Sequence, residues 1–334
     1  MSTRIAIIGA GVMGADHARI VAEELPGATL LLVCDRDERR ARQVAERFGA
    51  AHVATDPEAA IARDDVDAVI VASPDATHAP LSLACIRAGK RVLCEKPLSQ
   101  SSSECLEVIE AERAAGERFV QLGFMRRHDR ACAEMREALA DGALGRALMM
   151  HNFHRNVETP AADFTGAMAI TNSAPHEFDI VRHVLGAECA SIAAWQPRRS
   201  DTLVAPVVMV LETVDGQLAT VEVNNNAAYG YDVRAELVGE RGSIATNPVA
   251  YTRTDAALAA RTRYETDWRE RYAEAYRRQD RDFLRFVETG EFPAVGAHCW
   301  DGYSAARIAE AGVEALATGR RVAIDLVDPP ELYA

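Results

Sequence analysis

In the first part of the chain, short aliphatic and β-branched runs alternate with amphipathic ones. Residues 4–9, 28–35, 51–55, 66–73, 91–96 and 118–124 read as strands. Between them, 13–24, 38–48, 79–88 and 102–115 carry apolar residues at helical spacing. Ser101 and Glu104 have the spacing of a capping box, and Pro26, Gly49, Gly89 and Gly116 punctuate helix ends. Strict strand–helix alternation predicts a parallel α/β sheet. Beyond Phe124 the period changes. Longer alternating runs at 146–156, 189–199, 206–214, 217–226 and 231–238 predict a mostly antiparallel meander with one open face. Hairpin turns are expected at Val214-Asp215-Gly216-Gln217 and Glu240-Arg241-Gly242. Helices at 174–185, 266–289 and 301–318 interrupt and close it. The expected organisation is therefore α/β, with one domain over 1–124 and a second over 125–334, which fits a length of 334 residues.

Charge narrows the partners. Fifty acidic against 37 basic residues give a formal charge of −13 with no basic cluster, which argues against nucleic acid and anionic membranes as partners. Seven scattered cysteines without C-x-x-C spacing fit reduced thiols in the cytoplasm better than a disulfide framework or a zinc site. No apolar run approaches the ~18 residues of a membrane span, and Ile5-Ala6-Ile7-Ile8 leads into a glycine motif rather than a signal-peptide cleavage site.

That motif, Gly9-Ala10-Gly11-Val12-Met13-Gly14, is G-x-G-x-x-G between a strand and a helix, the context a dinucleotide loop requires. Glycines permit the tight turn and close approach of backbone to pyrophosphate, which then meets the helix N-terminus. Asp35 ends the second strand, 21 residues after Gly14, where an acid that binds the ribose hydroxyls is expected. Its charge would oppose a 2′-phosphate by ~4 kcal/mol per charge pair at ~4 Å and an effective dielectric of ~20. Arg36 works the other way, because a guanidinium can pair with that phosphate. The balance favours NAD over NADP.

Two segments carry candidate chemistry. Lys96 ends the fifth strand, at the edge where open parallel sheets bind ligands, although a lone lysine there is ordinarily a surface residue. In Asn172-Ser173-Ala174-Pro175-His176-Glu177-Phe178-Asp179, Ser173 is the expected N-cap, with Pro175 in the first turn. His176 would then sit at the positive end of the helix dipole, which disfavours imidazolium and leaves a base able to accept a proton. His176, Asp179 and His183 share one helical face, a spacing that fits a metal but is commoner on packed or solvated faces; no metal is expected. Alternation puts Asn152, His154 and Asn156 on one sheet face, and Tyr229 with Tyr231 on another; either could meet a hydroxyl-rich ligand or simply water.

At these residues the chain resembles the Gfo/Idh/MocA family of oxidoreductases, and most of all its inositol dehydrogenase branch. The resemblance is carried by the Gly9–Gly14 loop with His17, Glu95-Lys96-Pro97, Gln121-Leu122-Gly123-Phe124-Met125-Arg126-Arg127, His154-Arg155-Asn156, His176-Glu177-Phe178-Asp179, Tyr229-Gly230-Tyr231-Asp232 and Trp300-Asp301-Gly302-Tyr303. It implies an N-terminal Rossmann domain, an α/β domain with a large open sheet, a homotetramer formed through that sheet, and NAD-dependent oxidation of a ring hydroxyl of myo- or scyllo-inositol. By resemblance Lys96 and His176 are catalytic; Arg126, His154, Asn156 and Tyr231 contact the polyol; Val12, Met13, Ser73, His78 and Glu95 line the cofactor. One position departs. Asn172 stands where this branch usually carries an aspartate, so it can orient a ring or anchor a hydroxyl but offers no charge. The departure keeps two other readings open: a pyranose 1-dehydrogenase or reductase of the same family, and a dinucleotide-binding sensor without catalysis.

Overall fold

The computed structural model describes residues 2–247 and 252–333. The chain forms two compact units: Met1–His128 with Glu274–Ala306 and Val327–Ala334, and Asp129–Ala273 with Arg307–Leu326. Residues well beyond the expected border near Phe124 thus pack with the N-terminal segment.

In the first unit, β1 (Thr3–Ile8), α1 (Val12–Glu23), β2 (Ala28–Cys34), α2 (Glu38–Phe48), β3 (His52–Ala54), α3 (Pro57–Ile61), β4 (Ala68–Val71), α4 (His78–Arg87), β5 (Arg91–Cys94), α5 (Ser102–Ala115) and β6 (Val120–Leu122) follow in order. The six strands are parallel in the order β3-β2-β1-β4-β5-β6, so the winding reverses between β1 and β4. Ile5, Ala6 and Ile7 of β1 and all of β4 are fully buried, because helices cover both faces of the sheet. Each buried Ile or Val contributes about 1.5–3 kcal/mol. The helix at 102–115 starts as expected, but not through a capping box. The Ser101 hydroxyl pairs with that of Ser103, while Glu104 accepts the hydroxyl of the buried Ser99, which lies closer to the core.

The second unit contains α6 (Arg130–Ala140), β7 (Ala147–Arg155), α7 (Gly166–Met168), a π-helical turn over Ala169–Ser173, α8 (Pro175–Leu185), β8 (Cys189–Trp195), β9 (Val207–Thr213), β10 (Leu218–Asn224), β11 (Asp232–Gly239) and β12 (Ser243–Ala245). Its sheet runs β12-β11-β7-β10-β9-β8-β15, where β15 is Val322–Ala323. Every pairing is antiparallel except β7–β10, which is parallel. The expected meander is therefore interrupted: β7 inserts between β10 and β11, and the helical segment α7–α8 supplies the crossover that a parallel pair needs. One face packs Met150, Met209, Leu211, Val221 and Val223; the other leaves Leu148, Val208, Leu218 and Trp195 open, the indole 52% exposed. An exposed hairpin, β13 (Arg253–Ala256) with β14 (Ala259–Thr262), had no apolar alternation to announce it. The helices α9 (Trp268–Thr289) and α10 (Cys299–Thr318) complete the chain, α9 with non-helical backbone at Tyr272.

Candidate active site

The carboxyl ends of the parallel strands carry, in turn, the Gly9–Gly14 loop after β1, Asp35 after β2, Ser73 after β4, Glu95-Lys96 after β5 and Gly123 after β6. The fold thus gathers the expected dinucleotide residues at one sheet edge, beside the switch point. Gly9 has φ +99°, and a Cβ there would lie 2.4 Å from the carbonyl oxygen of Ala72. A Cβ on Gly14 would lie 1.8 Å from the Gly9 carbonyl oxygen. The turn closes only because both side chains are missing. Gly11 is different: nothing lies within 4 Å of its Cβ position, and as N-cap it has no side-chain hydrogen bond. That open space before uncapped N–H groups fits a pyrophosphate. Val12 is 62% exposed beside it, and Met13 is half-buried.

Asp35 accepts the Ala10 N–H at 2.8 Å and the Asp37 N–H at 2.9 Å, one on each oxygen. Both bonds aim the carboxylate beside the loop and leave lone pairs for ribose hydroxyls. Arg36 is exposed. A cation unnoticed in the sequence, Arg40, comes 3.8 Å from Asp35 Oδ2. It lies in the first turn of α2, and one of four arginines on an amphipathic helix carries no signal of such proximity.

Ser73 bonds the Thr77 hydroxyl at 2.6 Å. The imidazole of His78 is buried, with Nε2 2.7 Å from the Ser73 carbonyl and Nδ1 2.7 Å from that of Pro97. It braces the loop after β4 against the turn after β5. Lys96, half-buried, follows Glu95, whose carboxylate lies under Gly123 and against His17. Arg126 is buried in the short 3₁₀ turn Met125–His128, and Arg127 pairs with Asp301 at 2.7 Å.

In the second unit His176 and Glu177 stand side by side at the start of α8, both buried. The buried His154 of β7 places Nδ1 2.9 Å from Glu177 Oε2, while Asn156 Nδ2 approaches His154 Nε2 at 3.3 Å. The expected polar face of β7 is therefore packed rather than solvated. Glu177, the residue after His176 in the motif, fixes the His154 imidazole. The expected cap does not form. Ser173 belongs to the π turn and accepts a hydrogen bond from the buried Asn225 at 3.1 Å, and Ala174 precedes α8 instead. Ala174 donates its N–H to Ala169, so helical backbone runs straight into α8 and the dipole's positive end is not at His176. Asn172 lies in the π turn, a form found mostly at functional sites, and its Oδ1 accepts the Thr171 hydroxyl. Tyr231 is buried, edge-on to Tyr272; Tyr229 is half-exposed, its hydroxyl on Asp232. The expected shared face fails because β11 begins only at Asp232 and Gly230, at φ +152°, breaks the alternation. Among the described residues no group of three His, Cys, Asp or Glu converges on a point, and His183 lies 3.4 Å from Arg136.

A parallel sheet whose carboxyl edge gathers the glycine loop, Asp35 and Lys96 defines the class: an NAD-dependent oxidoreductase. The model of the oxidoreductase family with an NAD-binding Rossmann fold matches residues 3–124, and that of the GFO/IDH/MocA C-terminal domain matches 132–245. The chain belongs to the Gfo/Idh/MocA family. It is 44% identical to inositol 2-dehydrogenase 2 of Saccharopolyspora erythraea, covering 100% of this chain and 99% of the relative. It is 38% identical to the inositol 2-dehydrogenase/D-chiro-inositol 3-dehydrogenase of Shouchella clausii, over 100% and 97%. The crystal structure of myo-inositol dehydrogenase from Lactobacillus casei in complex with NAD(H) and myo-inositol matches with a TM-score of 0.94 at 29% identity, covering both chains completely.

Proposed function

We infer that this chain oxidises a ring hydroxyl of an inositol to a ketone with NAD. The observation that carries the reading is the gathering of Gly11, Asp35 and Lys96 at one sheet edge in a chain similar throughout to inositol 2-dehydrogenases. When bound, NAD accepts the hydride. The groups assigned to cofactor binding are Gly9, Gly11, Val12, Met13, Gly14, Asp35, Arg36, Ser73, His78 and Glu95, with His78 acting as a brace.

His176 takes the hydroxyl proton as general base, an effect of typically ~10²–10⁴-fold. Lys96 donates to the same oxygen and stabilises its developing charge. His154 has the better-defined environment: with Glu177 accepting from Nδ1, its Nε2 side faces Asn156 and a substrate hydroxyl. Arg126, Asn156 and Tyr231 complete the polyol contacts. Asn172 orients the reacting hydroxyl or the His176 ring without adding charge. The open sheet face, with Trp195, Val208 and Leu218 bare, suits burial between copies in a cytoplasmic homotetramer. The test is NADH formation from myo- and scyllo-inositol, with D-glucose alongside. Asn172 favours a second reading, a pyranose 1-dehydrogenase, which predicts that the sugar is the faster substrate.

A further inference from the structure

A row of three ionisable side chains lies buried in the first unit, beside the cofactor edge. His17 sits on α1 with its ring fully enclosed. Its Nδ1 is 2.8 Å from Oδ2 of Asp280 on α9, and its Nε2 is 2.9 Å from Oε1 of Glu95 at the end of β5. A neutral imidazole has one N–H and can serve only one of these carboxylates, whereas imidazolium serves both. Burial disfavours the charged ring, but Asp280 and Glu95 outweigh it and raise His17 well above the ordinary histidine range. The titratable groups that face it are those two and Tyr276 of α9, edge-on at 6.0 Å; on its own helix Asp16 and Arg19 pair with each other.

Glu95 is confined on its other sides as well. Its Oε2 lies 3.3 Å from the backbone nitrogen of Lys96, and a Cβ on Gly123 would come within 2.9 Å of its Cδ. The place of His17 is thus passed directly to the residue that precedes Lys96. Asp280 is itself fully enclosed, next to Gln279, which contacts β6 through its carbonyl at 3.2 Å from Gln121 Nε2.

We propose that His17, backed by Asp280, is a positioning residue for the dinucleotide crevice: it holds the Glu95 carboxylate in one orientation, and so sets how tightly, and over what pH range, the chain binds NADH. The inference rests on the reading of this edge as the NAD site. It makes opposite demands on two variants. In His17→Gln the positive charge is gone, and two buried carboxylates face a neutral amide. One of them takes up a proton as pH falls, so binding weakens toward acid. In Asp280→Asn one negative charge is gone, and His17 loses its proton at a lower pH than before. Binding then weakens toward alkali.

The experiment titrates the purified chain with NADH, read by nicotinamide fluorescence, from about pH 6 to about pH 9, with thermal unfolding of each variant in parallel. Wild-type affinity stays flat over that range. His17→Gln binds about tenfold more weakly, with the loss growing toward acid; Asp280→Asn loses less, and toward alkali. Equal affinity and an equal pH profile in wild type and variants overturns the proposal, as does a uniform loss that merely follows lowered stability. If the wild type itself binds no NADH, the NAD site fails, a result separable from the first. Should His17→Gln not fold, nitrogen NMR of wild-type His17 decides: both ring nitrogens protonated at about pH 7.5 is the expected state, and a neutral ring refutes it.

Discussion

Two helices, one in each unit, carry candidate residues at their starts, and they begin differently. At α1 the chain arrives extended through Gly11, makes no side-chain cap, and leaves its first N–H groups before open space. At α8 the chain arrives already coiled through α7 and the π turn, and the Ala174 N–H is bonded back to Ala169. The first start is built to meet an anion. The second carries buried side chains, His176 and Glu177, on a continuous helical path, with Asn172 one turn before. A helix N-terminus serves as a binding site only where the backbone before it is not helical; glycines precede α1, whereas Ser173 and Pro175 give α8 the composition of a helix start that its backbone does not make.

The largest effect that separates the two starts is at α8. If His176 is the base proposed above, His176→Ala should lower kcat ~10²–10⁴-fold while NADH binding is retained, since the proposal puts it on the substrate and not on the phosphates; stopped-flow turnover with a fluorescence titration reads both. Next is Gly14→Ala, whose Cβ would sit 1.8 Å from the Gly9 carbonyl oxygen. It should cost about 3 kcal/mol or more in urea unfolding and abolish NADH binding, since backbone has to move. Gly11→Val sharpens the contrast. With nothing near its Cβ, the variant should keep its stability within about 0.5 kcal/mol yet weaken NADH binding at least about tenfold, because the new side chain fills the phosphate space. Smallest is Ser173→Ala at α8. No cap is lost there, only the hydrogen bond from buried Asn225, so about 1 kcal/mol of stability should go with little change in turnover.

The first unit was largely legible because each signal was local. The loop, Asp35 and Lys96 each follow a strand whose apolar run is unmistakable, and a parallel sheet brings all such positions to one edge. The second unit was less so. The β7–β10 pairing joins strands distant in sequence, and nothing in an alternating pattern separates a parallel neighbour from an antiparallel one. The π turn was hidden for a related reason: Ser173 and Pro175 have the composition of a helix start, and only the backbone hydrogen bonds show that the helix began earlier. Asp280 left a fainter trace. It and Gln279 fall between Tyr276 and Phe283 on the buried stripe of α9, polar residues at core positions, but what they face, His17 and the β6 backbone, lies far away in sequence. Glu177 stood in plain view within a motif, yet its partner His154 is set by the packing of α8 on β7.

The measurement that tests the account most directly is the initial rate of NADH formation by wild type and Lys96→Met. Myo-inositol, scyllo-inositol and D-glucose would each be supplied with NAD and with NADP. The account predicts turnover of an inositol with NAD, far slower turnover with NADP because Asp35 opposes the 2′-phosphate, and a fall of ~10²-fold or more in the lysine variant. Wild-type rates that are zero on both inositols, faster with NADP, or unchanged by Lys96→Met would contradict it.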